Sequence, residues 1–468
     1  MNFRVFISFA GIILLISITV FSGPGCANIV PPAGGFRDSL PPVLERVNPA
    51  DSTLNFTGRR ISFTFDEYVQ LDNFSQNVLV SPLPKRTPTA NFRLNTVTVR
   101  LDTLESNTTY TINFGESIKD VNEGNIMKGF TYVFSTGPTI DSLSFAGNVI
   151  LAETGQVDTT LTVMLHKNPE DSAVFNERPR YVSKLDGKGH FVFKNLPAGT
   201  FYLYALQDES RSYRYLDIKK LFAFADSPVV VSRTTASKTL YAYQAAKPGD
   251  LSAAPASGKP NAADRRLKFQ NSLKNGSQDL LQPFSFHFER PLKTYDTSKI
   301  RFSSDSTFVP VTAYSWSLDS TRKKLTLNYA FAEDTRYNLI LQKDFATDTL
   351  GQQLLRTDTI HFNTMQRSDY GTVSIRFRNL DLSKSPVLQF VQAGSVVSSY
   401  PLTGETFSQP LFLPGEYELR ILYDANRNGV WDPGIFYGRH KQPELVKPVP
   451  RKSVLIKANW ENEFEIPL

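Results

Sequence analysis

Short runs in which apolar and polar residues alternate recur along the whole chain. Residues 61–65 (ISFTF) and 109–114 (TYTINF) form two such runs in the first half, and 284–288 (FSFHF) and 337–341 (YNLIL) occupy matching places in the second half. Because successive side chains of a strand point to opposite faces, each run predicts a strand with one buried face. Pro and Gly separate the runs, as expected for short strands joined by turns. The pattern predicts an all-β protein.

The two halves also repeat a second landmark. Gly199 and Asp208 bound an alternating strand, and Gly415 and Asp424 bound another of the same length. In both halves this strand comes after the runs described above, so each half is predicted to contain two different modules in the same order. The chain therefore has the pattern of a tandem duplication.

A Pro-, Ala- and Ser-rich stretch (AAKPGDLSAAPASGKPNAADRR) divides the mature chain nearly in two and predicts a flexible linker. The predicted segments are a signal peptide at 1–25, a Pro/Gly-rich tether at 26–42, module 1 at 43–137, module 2 at 138–244, the linker at 245–266, module 3 at 267–366 and module 4 at 367–468.

Composition supports this organisation. The 35 Phe and 19 Tyr suit half-buried strand surfaces, and 468 residues at 41% hydrophobic content are enough for several cores. The net charge of +6 is small, and basic and acidic residues are interspersed. Nucleic-acid binding is therefore not expected.

Module 1, with FTFDEYV, TYTINFGESIKDVNEGN and YVFSTG, resembles the bacterial Ig-like domain of S-layer-type proteins. Module 2, with LDGKGHFVFKNLPAGTFYLYALQD, resembles transthyretin-like or carboxypeptidase-regulatory-like domains. Both resemblances imply antiparallel β-sandwiches. The combined order resembles Ig-like lipoproteins of Bacteroidota, which implies a non-catalytic protein of the cell envelope.

Cys26, the single cysteine, follows an apolar run at 5–21 and the breakers of SGPG. A charged start, a short apolar region and a small residue before the cysteine are typical of a secretory signal, predicted here to form an N-terminal helix. The SGPG-Cys26 sequence resembles a lipobox, which implies lipidation of Cys26 and an outer-membrane anchor. Two alternatives are an uncleaved membrane anchor and ordinary cleavage that leaves a free cysteine. Because no acidic residue directly follows Cys26, the cell surface and the periplasmic face both remain open.

The sharpest local motif is DANRNGVWD, which starts at Asp424 directly after a predicted strand. Oxygen ligands at alternate positions with a glycine at the turn resemble the start of a calcium loop. The candidate calcium ligands are Asp424, Asn426, Asn428, Val430 and Asp432. Ile435 stands where such a loop carries its bidentate Glu, so the alternative is a hydrogen-bonded turn without a metal.

No arrangement of residues predicts catalysis. The five histidines are scattered, and Asp66 and Glu67, as neighbours on a predicted strand, would face opposite sides and could not flank one glycosidic bond. We therefore expect no enzyme and no catalytic residue. The sequence predicts a structural or interaction subunit of an envelope protein complex, such as a β-barrel assembly or secretion machine. The alternative is a surface adhesion or glycan-binding lipoprotein, and a hydrolase is the least expected.

We predict that a fatty-acid analogue supplied to growing cells labels the protein and that Cys26→Ala abolishes the label, because the thiol of Cys26 is the only one available for acylation. Total expression measured by immunoblot is the control. A label that persists in Cys26→Ala would overturn the lipoprotein assignment.

Overall fold

The computed structural model describes residues 37–245, 266–450 and 453–468. The predicted signal helix, Cys26 and most of the tether and linker lie outside these residues. The described residues form 37 strands, helices α1 (Phe74–Asn77) and α2 (Ala173–Asn176), and 3₁₀ turns at Thr297–Lys299, Arg367–Asp369 and Leu382–Lys384. The predicted all-β class is confirmed. Neither helix within these ranges has the length and hydropathy needed to cross a membrane.

The chain divides into two compact units, one ending at Ile140 and the other spanning Asp141–Leu468. Module 1 belongs to the first unit. Its strands are β1 (Leu44–Asn48), β2 (Arg60–Phe65), β3 (Val69–Leu71), β4 (Leu79–Ser81), β5 (Thr89–Arg93), β6 (Thr96–Arg100), β7 (Thr109–Asn113), β8 (Ile118–Asp120), β9 (Ile126–Met127) and β10 (Thr131–Ser135). They form sheets in the orders β1-β2-β6-β5, β10-β7-β4 and β3-β8-β9. Phe63 is fully buried in this module and meets Phe114 and Tyr132 edge to face.

Module 3 repeats much of this pairing within the second unit. Its strands are β19 (Phe269–Asn271), β20 (Ser277–Gln278), β21 (Phe284–Phe288), β22 (Leu292–Tyr295), β23 (Ile300–Ser304), β24 (Val309–Pro310), β25 (Ser315–Leu318), β26 (Lys324–Asn328), β27 (Arg336–Leu341), β28 (Ala346–Asp348) and β29 (Asp358–Thr364). The order β19-β21-β26-β25 corresponds to β1-β2-β6-β5 of module 1. The pair β27–β29 likewise corresponds to β7–β10.

Modules 2 and 4 share a different topology. The strands of module 2 are β11 (Leu143–Leu151), β12 (Leu161–His166), β13 (Tyr181–Lys184), β14 (His190–Leu196), β15 (Gly199–Gln207), β16 (Leu221–Phe224), β17 (Val229–Val231) and β18 (Lys238–Gln244). Those of module 4 are β30 (Gly371–Arg378), β31 (Pro386–Gln392), β32 (Ser395–Pro401), β33 (Thr406–Phe412), β34 (Gly415–Tyr423), β35 (Leu445–Pro448), β36 (Val454–Ile456) and β37 (Glu461–Pro467). When the strands of each module are matched in chain order, module 4 has the same strand pairs as module 2. Module 2 has one further pair, β16–β18, which joins its strands into one continuous sheet.

The strands pair mostly antiparallel, as expected for such sandwiches, but three strand pairs are parallel. In module 2 the first and last strands, β11 and β18, run parallel, and β30 and β37 do the same in module 4. Strands β20 and β29 of module 3 also pair in parallel. In modules 2 and 4 the reason is the path of the chain, because the last strand returns beside the first in the same direction.

Four separate hydrophobic cores account for most of the buried residues, and each core draws its residues from a single module. Phe63, Phe191, Phe284 and Phe390 are examples, one in each core. The aromatic residues of the alternating runs thus fill the module interiors, as expected for strands with one buried face.

Modules 2 and 4 pack directly against each other within the second unit. Phe436 of module 4 is only 4% exposed and lies among three rings of module 2. Its ring centroid is 5.1 Å from that of Phe222, 5.2 Å from that of Phe224 and 5.7 Å from that of Tyr204. This aromatic contact connects parts of the chain more than two hundred residues apart.

The backbones of the two modules also meet. The amide of Val446 in β35 donates to the carbonyl of Ala152 at 2.8 Å. A Cβ atom on Gly434 would lie 2.7 Å from the ring of Tyr243, so only glycine allows this close approach. The sequence left open whether the second half extends away from the first or folds back, and within Asp141–Leu468 module 4 lies against module 2.

We predict that Phe436→Ala destabilises the packing of these modules by about 3–5 kcal/mol, because a buried phenyl ring is removed from an aromatic cluster. Differential scanning calorimetry should show a lowered or split transition. Leu455→Ala is the control, since Leu455 lies in module 4 but is 56% exposed. Equal thermograms for Phe436→Ala and the unaltered chain would contradict a stabilising role for this contact.

Candidate functional site

The candidate calcium loop connects β34 to β35 in module 4. Asp424 begins the loop and is 1% exposed. Its two carboxylate oxygens accept the backbone amides of Asn428 at 3.2 Å and Gly429 at 2.6 Å. Asp424 therefore holds the start of the loop against its glycine turn, as the first residue of a calcium loop does.

The other side-chain ligands predicted from the sequence converge on the same turn. Asn426 Oδ1 accepts from the amide of Asn428 at 3.0 Å, and Asn428 Oδ1 accepts from the amide of Val430 at 2.8 Å. Both side-chain amides donate to Asp432 Oδ2, at 2.5 and 2.7 Å. The structure thus brings Asp424, Asn426, Asn428 and Asp432 together, whereas the side chain of Val430 is exposed.

Sequence reasoning missed Glu444, which closes the other end of the loop. Its carboxylate accepts the backbone amides of Ala425 at 2.9 Å and Asp432 at 3.1 Å, and the residue is 5% exposed. Burial, followed by the charge of Asp424, raises the pKa of Glu444 above its ordinary value, although the two amide donors act in the opposite direction. Glu444 lies well after Ile435, the position at which a calcium loop carries its Glu. The only feature of the sequence that could have indicated its role is its place directly before β35.

The residues fit a hard cation in part. Carboxylate and amide oxygens are the donors that calcium prefers, but the side-chain oxygens of Asn426 and Asn428 already accept hydrogen bonds from backbone amides. Across 37–245, 266–450 and 453–468, no group of three or more His, Cys, Asp or Glu residues is arranged to hold a metal ion. The hydrogen bonds within the loop are those of the alternative, an Asx-rich turn, and calcium binding stays a prediction.

Trp431 anchors the middle of the loop. Its indole Nε1 donates to the carbonyl of Glu444 at 2.7 Å, and its ring packs against a small cluster formed by Val387, Leu422 and Val446. With Asp424 and Glu444 at its ends, the loop is held at three points and can support the residues that contact module 2.

The corresponding turn of module 2 keeps only the first of these features. Asp208 Oδ1 accepts from the hydroxyl of Ser210 at 2.8 Å, and its other oxygen accepts the amide of Tyr213. Hydroxyl side chains replace the Asn amides of module 4, so Asp208 provides a matched residue for testing the calcium prediction.

The histidines do not form a common site. His287 and His361 are exposed on strands, where they alternate with buried Phe residues. His190 contacts Asp186 at 3.0 Å. His166 is buried, and burial lowers its pKa to about 4, so that it is neutral at pH 7. His440, by contrast, crosses between modules and is described with the pocket below.

The expectation that Asp66 and Glu67 face opposite sides of a strand is wrong, because β2 ends at Phe65 and both residues lie in a bend. Burial and then the charges of Asp120 and Asp66 raise the pKa of Glu67. Asp120 itself accepts three backbone amides of the following loop, at 2.6 to 2.8 Å. Asp120 therefore stabilises the turn that follows β8.

Comparison with known proteins shows a similarity in the first module. A family model described as a bacterial Ig-like domain matches residues 38–136, which include all of module 1 except its last residue. The chain is all-β, and its residues 38–136 are similar to a bacterial Ig-like domain. No curated protein matches the chain.

Several solved structures resemble parts of the chain weakly. The Bacillus anthracis TIE protein is 12% identical, over 93% of this chain and 75% of that chain, with a TM-score of 0.17. The major pilin subunit BcpA of Bacillus cereus is 10% identical, over 69% of this chain and 99% of that one, also with a TM-score of 0.17. The N-terminal part of the bacterial S-layer protein SbsC is 18% identical, over 43% of this chain and 44% of that one, with a TM-score of 0.16. TM-scores this low do not establish a shared arrangement of modules.

We predict that excess calcium raises the melting temperature of the full chain relative to EDTA, because an ion bound only to the folded loop stabilises it, by about 2.7 kcal/mol at a hundredfold excess over Kd. Asp432→Asn should remove most of the increase, whereas Asp208→Asn in the matching turn of module 2 should retain it. Identical melting curves in EDTA and in excess calcium would rule out calcium and leave the Asx-rich turn.

Proposed function

We propose that this protein is a non-catalytic outer-membrane lipoprotein that acts as a structural or interaction subunit of a cell-envelope protein complex. A β-barrel assembly machine and a secretion machine are examples of such a complex. The bacterial Ig-like domain and the four separately packed modules support this proposal. The lipid on Cys26 would anchor the protein to either face of the outer membrane. We also propose that modules 2 and 4 are transthyretin-like domains and that the protein comes from Bacteroidota.

The observation that carries the proposal is the free edge of β5 in module 1. Among the described strands, β5 has a ladder partner only in β6, and its other side meets β3 at one end, where the amide of Val69 donates to the carbonyl of Leu94 at 3.1 Å. Phe92 is 49% exposed on β5, and Leu94 in the following turn is 60% exposed. Soluble proteins usually protect such edges with charges or bulges, and partners often bind them by strand addition.

Leu94 also has an unfavourable backbone conformation. The turn between β5 and β6 has two residues, Leu94 and Asn95, and Leu94 has a φ of 56°. Glycine normally occupies this first position of the turn, because the left-handed conformation costs L-residues about 1–2 kcal/mol. The carbonyl of Leu94 accepts a hydrogen bond from the amide of Val69 in β3, so the turn contributes to the fold, while the exposed leucine side chain offers a surface for a partner.

A second candidate function is adhesion or glycan binding at the cell surface. The observation that favours it is an aromatic pocket between modules 2 and 4, whose ligand is considered separately below. A hydrolase has the least support, since the clustered acidic groups of module 1 hold backbone amides.

We predict that Phe92→Lys abolishes recovery of envelope proteins in native pull-downs from detergent-solubilised outer membranes, because a charge on the edge opposes strand addition. Val230→Lys is the matched control, since Val230 is 63% exposed on β17 of module 2. Recovery of the protein alone, or equal recovery of partners with Phe92→Lys, would defeat the proposal.

Leu94→Asn gives a second test of the same edge. Asparagine tolerates a positive φ, so we expect the free energy of unfolding to rise by about 1 kcal/mol while partner recovery falls. Denaturant titration and the same pull-down measure the two effects. A stabilised variant that recovers partners as well as the unaltered chain would show that Leu94 does not contact them.

A further inference from the structure

An open pocket of about 680 Å³ lies where module 4 meets module 2. Module 2 contributes residues 169–172 and two residues of α2, Phe175 and Asn176, and module 4 contributes Tyr437. The volume lies within the range of about 300–1,000 Å³ that is usual for small-molecule sites, and such sites are common at domain junctions.

Two aromatic rings form the apolar wall of this pocket. The centroids of Phe175 and Tyr437 are 5.4 Å apart, and their planes are inclined by 49°. Tyr437 is 41% exposed although it follows one of the most buried rings of the junction. The pocket therefore has an angled apolar surface that is open to solvent.

The packing of the two modules holds Tyr437 in place. Its neighbour Phe436 is buried among the rings of module 2, and the two side chains contact each other with centroids 4.9 Å apart. On the same turn, His440 Nε2 lies 2.8 and 2.9 Å from the two carboxylate oxygens of Asp171. Both contacts cross the junction, so the pocket is formed before any ligand arrives.

Three polar side chains at the pocket remain available to a ligand. Glu170, Ser172 and Asn176 make no side-chain hydrogen bond to any residue that the structure describes. Asp171 differs from them, because His440 already occupies its carboxylate. Together the free groups offer a carboxylate that accepts, and a hydroxyl and an amide that both donate and accept.

We propose that this junction pocket binds a neutral saccharide, with a sugar ring against Tyr437 and Phe175 and sugar hydroxyls bonded to Glu170, Ser172 and Asn176. A sugar ring has apolar C–H faces and a rim of hydroxyls that both donate and accept, and this combination matches the pocket. A cationic ligand would use the rings and Glu170 but would leave the donors of Ser172 and Asn176 without a role. The site goes beyond the proposed scaffold function and does not depend on it.

The test is a screen of the full chain against an array of neutral, anionic and amino oligosaccharides, followed by calorimetric titration of the neutral sugars that bind. We expect Tyr437→Ala and Asn176→Ala each to weaken binding by about tenfold or more. Tyr295→Ala is the matched control, since Tyr295 of module 3 is also 41% exposed and lies outside the pocket. Its affinity should equal that of the unaltered chain.

Three results would overturn the proposal. They are the absence of any bound neutral saccharide, equal binding by the Asn176→Ala variant, and a preference for amino sugars that Glu170→Gln removes, which would identify a cation site. Asn176 is exposed and takes no part in the aromatic packing, so its variant decides the matter even if Tyr437→Ala disturbs the junction. Melting curves of each variant verify that the modules stay folded.

Discussion

The burial of Phe436 among the rings of module 2 is the contact on which the arrangement of Asp141–Leu468 depends. A single ring from a loop of module 4 contacts Tyr204, Phe222 and Phe224, which belong to two neighbouring strands. Aromatic packing of this kind is favourable beyond the area it buries, because the rings adopt edge-to-face and tilted geometries. Tyr437 and His440 reach module 2 because Phe436 fixes the turn that carries them.

The loop that carries Phe436 is stabilised by carboxylates that accept hydrogen bonds from backbone amides. Asp424 and Glu444 lie at its two ends, and Trp431 packs between them. Buried carboxylates are costly unless they accept hydrogen bonds, and here each one accepts two. The same residues that resemble a calcium loop therefore also keep the outer part of the loop in position for contact with module 2. Loss of these hydrogen bonds would therefore disturb both the loop itself and its contact with module 2.

Local patterns in the sequence predicted the strands well, and long-range contacts explain what was missed. The alternating runs correspond to β2, β7, β21 and β27, since alternation is a property of neighbouring residues. The convergence of Asp424 with Asp432 was also predictable, because it follows from spacing within one loop. Glu444 lies in the same loop but outside the spacing of a calcium loop, so the local motif did not reveal it. The contact of Phe436 with Phe222 joins segments that are distant in sequence, and only the tertiary fold brings them together. The strand end at Phe65 shows a further limit, as alternation alone does not reveal where a strand gives way to a bend.

The parallel pairing of β11 and β18 gives module 2 a particular response to force. The chain enters the module through β11 and leaves through β18, and five residues of each strand are paired in register. Tension applied to the two ends pulls these parallel strands past each other along their length. Their hydrogen bonds are then loaded in shear and must break together, whereas a hairpin pulled open from its ends loses its bonds one after another. Module 2 therefore has the strand geometry of a mechanical clamp.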